Sequence, residues 1–188
     1  HAHQSGSGAT LVGSGIFQSF QNARLANDIL YSALLPVRKA DVVRSKYIFC
    51  VFIELCAFVL CAVITLLRMT VFVDAPIYRT NALMTANLVY LGFLLLIFGC
   101  FNAIFVRGYF KTVYKVTKPF VFYLVVTFII VGIAETLHFI PALAVVNTFG
   151  FENMGLQLSA IAIGALLFVL LTLASQKSAI KLFEKIDL

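Results

Sequence analysis

The chain has 188 residues, 62% of them hydrophobic and only 12% charged, with fourteen Lys and Arg against eight Asp and Glu for a net charge of +6. A soluble globular chain carries about 25% charged residues, so the composition excludes that class and predicts an integral membrane protein. In such a chain a positive balance is a topology signal first, and no nucleic-acid partner is expected from it.

The first fifteen residues, HAHQSGSGATLVGSG, are Gly- and Ser-rich with two His. They read as a tag or linker, an unassigned leader set outside the fold. Native-looking sequence begins near Ile16. Nothing there resembles a cleavable signal peptide, because the first strongly apolar stretch lies well downstream, behind a basic segment.

Residues 27–46 (NDILYSALLPVRKADVVRSK) carry the most information. Asn27 or Asp28 can accept the orphan amide protons of a helix start, so 29–34 are predicted as one to two helical turns. Pro36 ends them and makes Leu35 a corner. From Val37 the period is helical again, with Ala40, Val43 and Tyr47 on one face and Arg38, Asp41 and Arg44 on another. This predicts a helix that lies along the interface or bends into the first span. Anchoring at the interface alone needs no more than that. Ile29, Leu30, Tyr31, Leu34 and Leu35, however, are too apolar for a solvated loop and too few to span anything. They suit a short helix seated in a groove of a partner.

A span needs roughly 20 mostly apolar residues. Four stretches qualify, at 47–67, 81–106, 119–140 and 156–174. Their apolar runs are continuous, without the alternation of a barrel, so the fold class is all-α, a polytopic helical membrane protein. Residues 16–46 form a cytoplasmic amphipathic region, 47–176 the transmembrane domain and 177–188 a tail.

Basic residues set the orientation. Arg24, Arg38, Lys39, Arg44 and Lys46 precede the first span, Arg107, Lys111, Lys115 and Lys118 separate the second from the third, and Lys177, Lys181 and Lys185 follow the fourth. The opposite loops hold only Arg68 and Arg79. Both termini are therefore expected on the cytoplasmic side. The 107–118 loop is basic and aromatic and is expected to snorkel into anionic headgroups. The tail is expected to extend the last helix.

Cys50, Cys56, Cys61 and Cys100 all fall inside spans and read as small packing residues, with no disulfide or metal site expected. Tyr47, Tyr78, Tyr109, Tyr114 and Tyr123 fall near span ends, where an amphipathic ring anchors. Gly92, Gly99, Gly132 and Gly164 are small residues where helices can approach, and Gly92 and Gly99, seven apart, share a face.

Polar groups inside spans are the remaining candidates. Glu54 sits in the middle of the first span, where a charge costs about 2.5–3.5 kcal/mol on insertion scales unless it meets protein or water. It reads as pathway lining, or as a protonated or hydrogen-bonded carboxyl bridging helices, with Asn87 and Asn102 as partners. Glu135 and His138, three apart, share a helix face and read as a pair near the outer mouth of a pathway. The same spacing binds metal in helical bundles, but there it needs further carboxylates from facing helices, and only Glu54 could supply one. No GxxxxGK[ST] phosphate loop occurs, so the chain does not hydrolyse ATP alone.

Three stretches carry a resemblance: NDILYSALLPVRKADVVRSKYI, NAIFVRGYFKTVYKVTKPF and the ending IKLFEKIDL. Together they resemble the small permease subunits of bacterial ABC-2 type transporters, with those of Gram-positive bacteria that export phenol-soluble modulin peptides as the nearest likeness. The resemblance covers 16–188. It implies a subunit of six spans in the bacterial plasma membrane whose cytoplasmic coupling helix docks on a separate ATP-binding subunit, with ATP and Mg held there and no cofactor on this chain. The docking element then corresponds to Asn27, Asp28, Ile29, Leu30, Tyr31, Leu34, Leu35, Pro36, Arg38 and Lys39. A second permease subunit, identical or homologous, is implied as partner. The family pattern places two further spans before GIFQSFQNARLAND, where this chain has only its leader. A non-transporting four-span accessory or sensor protein and an intramembrane metalloenzyme built on Glu135 and His138 are the competing classes.

Overall fold

The computed structural model describes residues 2–26, 31, 37–72, 87–112, 116–136, 151 and 153–186, without the side chains of 2–9 and 135. Five long helices make up the described residues: α1 (Ala2–Leu25), α2 (Lys39–Thr70), α3 (Val89–Thr112), α4 (Thr117–Thr136) and α5 (Met154–Glu184). The last four are long and apolar enough to cross a membrane, and the protein is a polytopic helical membrane protein.

α3 is the central element. Two-thirds of its most apolar window is buried, against less than one-fifth in α2, α4 and α5. The outer helices turn one stripe inward and leave the rest apolar and exposed, as lipid requires. In α2 the inward stripe is Val43, Tyr47, Cys50, Glu54, Thr65 and Met69, while Phe52, Leu55, Val59 and Leu60 face outward.

Contacts give the directions. α3 and α5 run parallel, since Leu88 meets Gln157, Asn102 meets Thr172, Arg107 meets Ser178 and Phe110 meets Phe183 in ascending order. They pack backbone to backbone. A Cβ at Gly92 would overlap the Ala160 carbonyl and one at Gly164 the Gly92 carbonyl, while one at Gly99 would lie 3.1 Å from the Phe168 Cα. Without a hydrophobic drive between helices in lipid, such close approach supplies the packing attraction. The shared face of Gly92 and Gly99 is thus a contact stripe, directed at α5. Gly132 has no such role, because nothing lies within 4 Å of a Cβ built there.

α2 and α4 are antiparallel to α3, and Lys39 Nζ ties the start of α2 to the far end of α5 through the Ile186 carbonyl at 2.6 Å. The helix of α2 starts at Lys39, with Arg38 extended at its N-cap, and continues unbroken to Thr70. The amphipathic stretch is therefore the first turns of the span itself, without the bend or interfacial course expected for it. Its exposed face carries an Asp41–Arg44 ion pair at 3.1 Å. The last helix continues through the tail to Glu184.

The leader is helical. α1 contains it, and its second half is packed into the bundle: Gly13 lies against Tyr123, and Ile16 and Phe20 are buried. Phe17 stacks on Phe120 at 4.1 Å, and Phe20 meets Tyr109 edge-on at 4.6 Å. Small residues permit this seat; a Cβ at Gly13 would come within 3.2 Å of the Tyr123 ring. The register of Gly13 with Phe101, Phe17 with Phe105 and Phe20 with Tyr109 makes α1 parallel to α3. Ala2, eleven residues before Gly13 and so about 16 Å along the axis, then lies toward the end holding Leu88 and Gln157. That is opposite the basic end, where both ends of the chain were expected.

Candidate functional site

The buried polar groups converge where α3 departs from α-helical geometry. Residues Asn102–Val106 form a π-helical segment, in which the Arg107 N–H reaches back to the Asn102 carbonyl. Such one-turn breaks are frequent at functional sites. Asn102 is fully buried, and its amide serves two neighbours at once: Nδ2 donates to Glu54 Oε2 on α2 at 2.8 Å and to Thr172 Oγ1 on α5 at 3.2 Å. Tyr47 O–H, about two turns before Glu54, donates to the Asn102 carbonyl at 3.3 Å. One residue at the break therefore joins three helices.

Glu54 is 1% exposed. Asn102 Nδ2 is the donor that its carboxyl meets. The cluster is nevertheless short of donors. Both protons of the Asn102 amide are spent, while Glu54 Oε1 and Asn102 Oδ1, both buried, have no hydrogen-bond partner among the described residues. An unmet buried acceptor is costly and marks a place where water, a ligand or a second arrangement of the helices supplies what is absent.

Glu54 and Asn102, both singled out from the sequence, are thus brought together. Asn87 is not with them. It is buried at the start of α3, fifteen residues or about 22 Å before Asn102 along the axis. There Gln157 of α5 accepts from the Leu88 N–H through Oε1 at 2.9 Å, satisfying one of the orphan amides of a helix start. Glu135 belongs to α4 by its backbone, and His138 lies outside the described residues, as do Asn27, Asp28, Ile29, Leu30, Leu34, Leu35 and Pro36. Of the remaining docking candidates, Tyr31 is exposed, Arg38 caps α2 and Lys39 binds the end of α5. No group of three or more metal-ligating side chains occurs among the described residues.

Sequence reasoning missed Tyr47, Thr172 and Gln157 as members of polar contacts. Tyr47 reads as an interfacial anchor by its position, and Thr172 is one hydroxyl within LLTL. Only the parallel pairing of α3 with α5, unreadable from local pattern, places Thr172 at the level of Asn102.

Four membrane-length helices around a buried polar cluster define an integral membrane protein built to place polar groups at bilayer depth. A family model described as ABC-2 family transporter protein matches residues 8–184. The chain belongs to that family, and it is a membrane-spanning permease component of an ABC transporter. The match begins inside the leader, in agreement with the seat of α1. Neither a curated protein nor a solved structure matched the chain.

Proposed function

We propose that this chain is the permease subunit of an ATP-driven exporter, moved by a separate ATPase subunit through residues 27–36. The observation that carries the reading is the unbroken course of α2. It begins three residues after Pro36 and reaches Glu54, the inner contact with α3, about 22 Å further on. A helix of that length transmits a displacement at its start to the polar cluster, where Asn102 holds α3 and α5 as well. The two unmet acceptors fit a cluster with a second arrangement, in which they find donors.

The ATPase partner binds ATP and Mg, and a second permease subunit completes the pathway. The likeness of the loop motifs to Gram-positive peptide exporters favours a peptide or another amphipathic cargo, and the bacterial plasma membrane with residues 107–118 facing the cytoplasm. Glu135 and His138 act near the outer mouth; Glu135→Gln is expected to impair export while the complex still assembles.

The decisive experiment is co-purification of the ATPase with this subunit from membranes. Leu34→Asp with Leu35→Asp is expected to abolish it, leaving the permease folded and inserted. Undiminished recovery of the ATPase would remove the docking assignment.

A further inference from the structure

α3 is sealed by its neighbours except along one band. From Leu91 to Lys111, Phe93, Leu96, Cys100, Ala103 and Ile104, then Arg107, Gly108 and Lys111, escape full burial. Each has another of the set three or four residues away, so they form one band, roughly 27 Å long, on one side of the helix. The stripe opens into two hollows. One of about 300 Å³ lies between α3 and α5 beside Gly92 and Gly164. The other, of about 210 Å³, lies at the basic end and is walled by Ala103, Ile104, Gly108 and Phe122 with Arg107 and Lys111.

The chemistry changes along the stripe. It is apolar from Phe93 to Ile104 and ends in two cations four residues apart, hence on one face. Arg107 is braced from α5, its Nε–H donating to Ser178 Oγ at 2.9 Å, which leaves the terminal Nη groups for a ligand. No carboxylate among the described residues pairs with either cation. On the α4 side Phe122 is 61% exposed and extends the apolar wall past them.

We propose that Arg107 and Lys111 bind the phosphate headgroup of an anionic phospholipid from the leaflet at the basic end, with its acyl chains along the apolar stretch of α3. Basic pockets between membrane helices recognise such headgroups, and the braced guanidinium offers two parallel donors to phosphate oxygens. A second copy of the chain is disfavoured as occupant. Two copies related by an axis along the membrane normal present equal depths to each other, which sets Arg107 and Lys111 against their own images without a counter-ion. The inference does not depend on how the ATPase is coupled.

The test is native mass spectrometry of the protein as purified, with any subunits that accompany it, after exchange into phosphatidylglycerol or phosphatidylcholine. Preferential retention of phosphatidylglycerol is expected. Arg107→Gln with Lys111→Gln should lower it roughly tenfold or more, and Lys177→Gln with Lys181→Gln, on exposed positions of α5, should not. Ala103→Trp fills the apolar bed without touching a charge and should also weaken retention. Should the double variant fail to fold, Lys111→Gln alone gives the same reading, because Lys111 is exposed. Equal retention of both lipids, or equal loss from both Gln pairs, overturns the site. Displacement of the lipid by millimolar inorganic phosphate would show a site for the free anion, and crosslinking of Ala103→Cys between copies would show a protein interface; either result overturns the lipid assignment.

Discussion

Asn102 has two amide protons and both are committed, to Glu54 on one helix and Thr172 on another. Removing the amide strips Glu54 of its donor and leaves a buried carboxyl with nothing to bind. Asn102→Leu is therefore expected to destabilise the protein by about 2–3 kcal/mol, read as a fall in the melting temperature in detergent. Glu54→Gln behaves differently. The new amide still offers an oxygen to Asn102 Nδ2, and its own N–H groups are candidates for the unmet Asn102 Oδ1. Stability equal to the parent, or higher by up to about 1 kcal/mol, is expected together with impaired export. Normal export by Glu54→Gln would reduce the cluster to a packing device. Glu54 and Asn102 were legible because a carboxyl and an amide inside apolar runs are exceptional. Their pairing rather than that of Glu54 with Asn87 was not, since both Asn lie in one apolar stretch and only the register of α2 chooses between them.

At the scale of elements the α3–α5 pair is the most tightly specified contact. Gly92→Ala or Gly164→Ala places a methyl where a backbone carbonyl already sits, and neither backbone can yield without moving a whole helix. Each is expected to cost about 1–3 kcal/mol. Gly132→Ala, facing open space, should be neutral or slightly stabilising through better helix propensity. A common melting temperature for all three variants would contradict the described approach of the helices. The four apolar helices were legible from hydropathy because length and apolarity are all a span requires. Their ends were less so: α2 starts eight residues before the expected span and α5 continues ten residues beyond it, because amphipathic turns carry the helix past the apolar run. α1 escaped altogether. Its small and polar residues give no apolar signal, and its place follows from aromatic side chains elsewhere in the chain.

For the whole molecule the consequence is a change of sidedness. Helices α1, α3 and α5 run one way and α2 and α4 the other, so the start of α1 and the end of α5 lie at opposite ends of the bundle. In a background without the native cysteines, Gln4→Cys and Lys185→Cys are expected to react with an impermeant thiol reagent from opposite sides of the membrane. Labelling of both from one side would return α1 to the status of an appendage. The count of Lys and Arg that predicts the orientation rests on the four apolar helices, and the first helix was not among them.

The aromatic seat of α1 bears on how the protein is made. Residues 2–25 leave the ribosome before the rings that hold them, from Phe101 to Tyr123, which are synthesised about a hundred residues later. A segment so poor in greasy side chains has little inclination to partition into lipid unaided. Its seat in the bundle is therefore complete only once α3 and α4 have been made, although its own residues precede theirs.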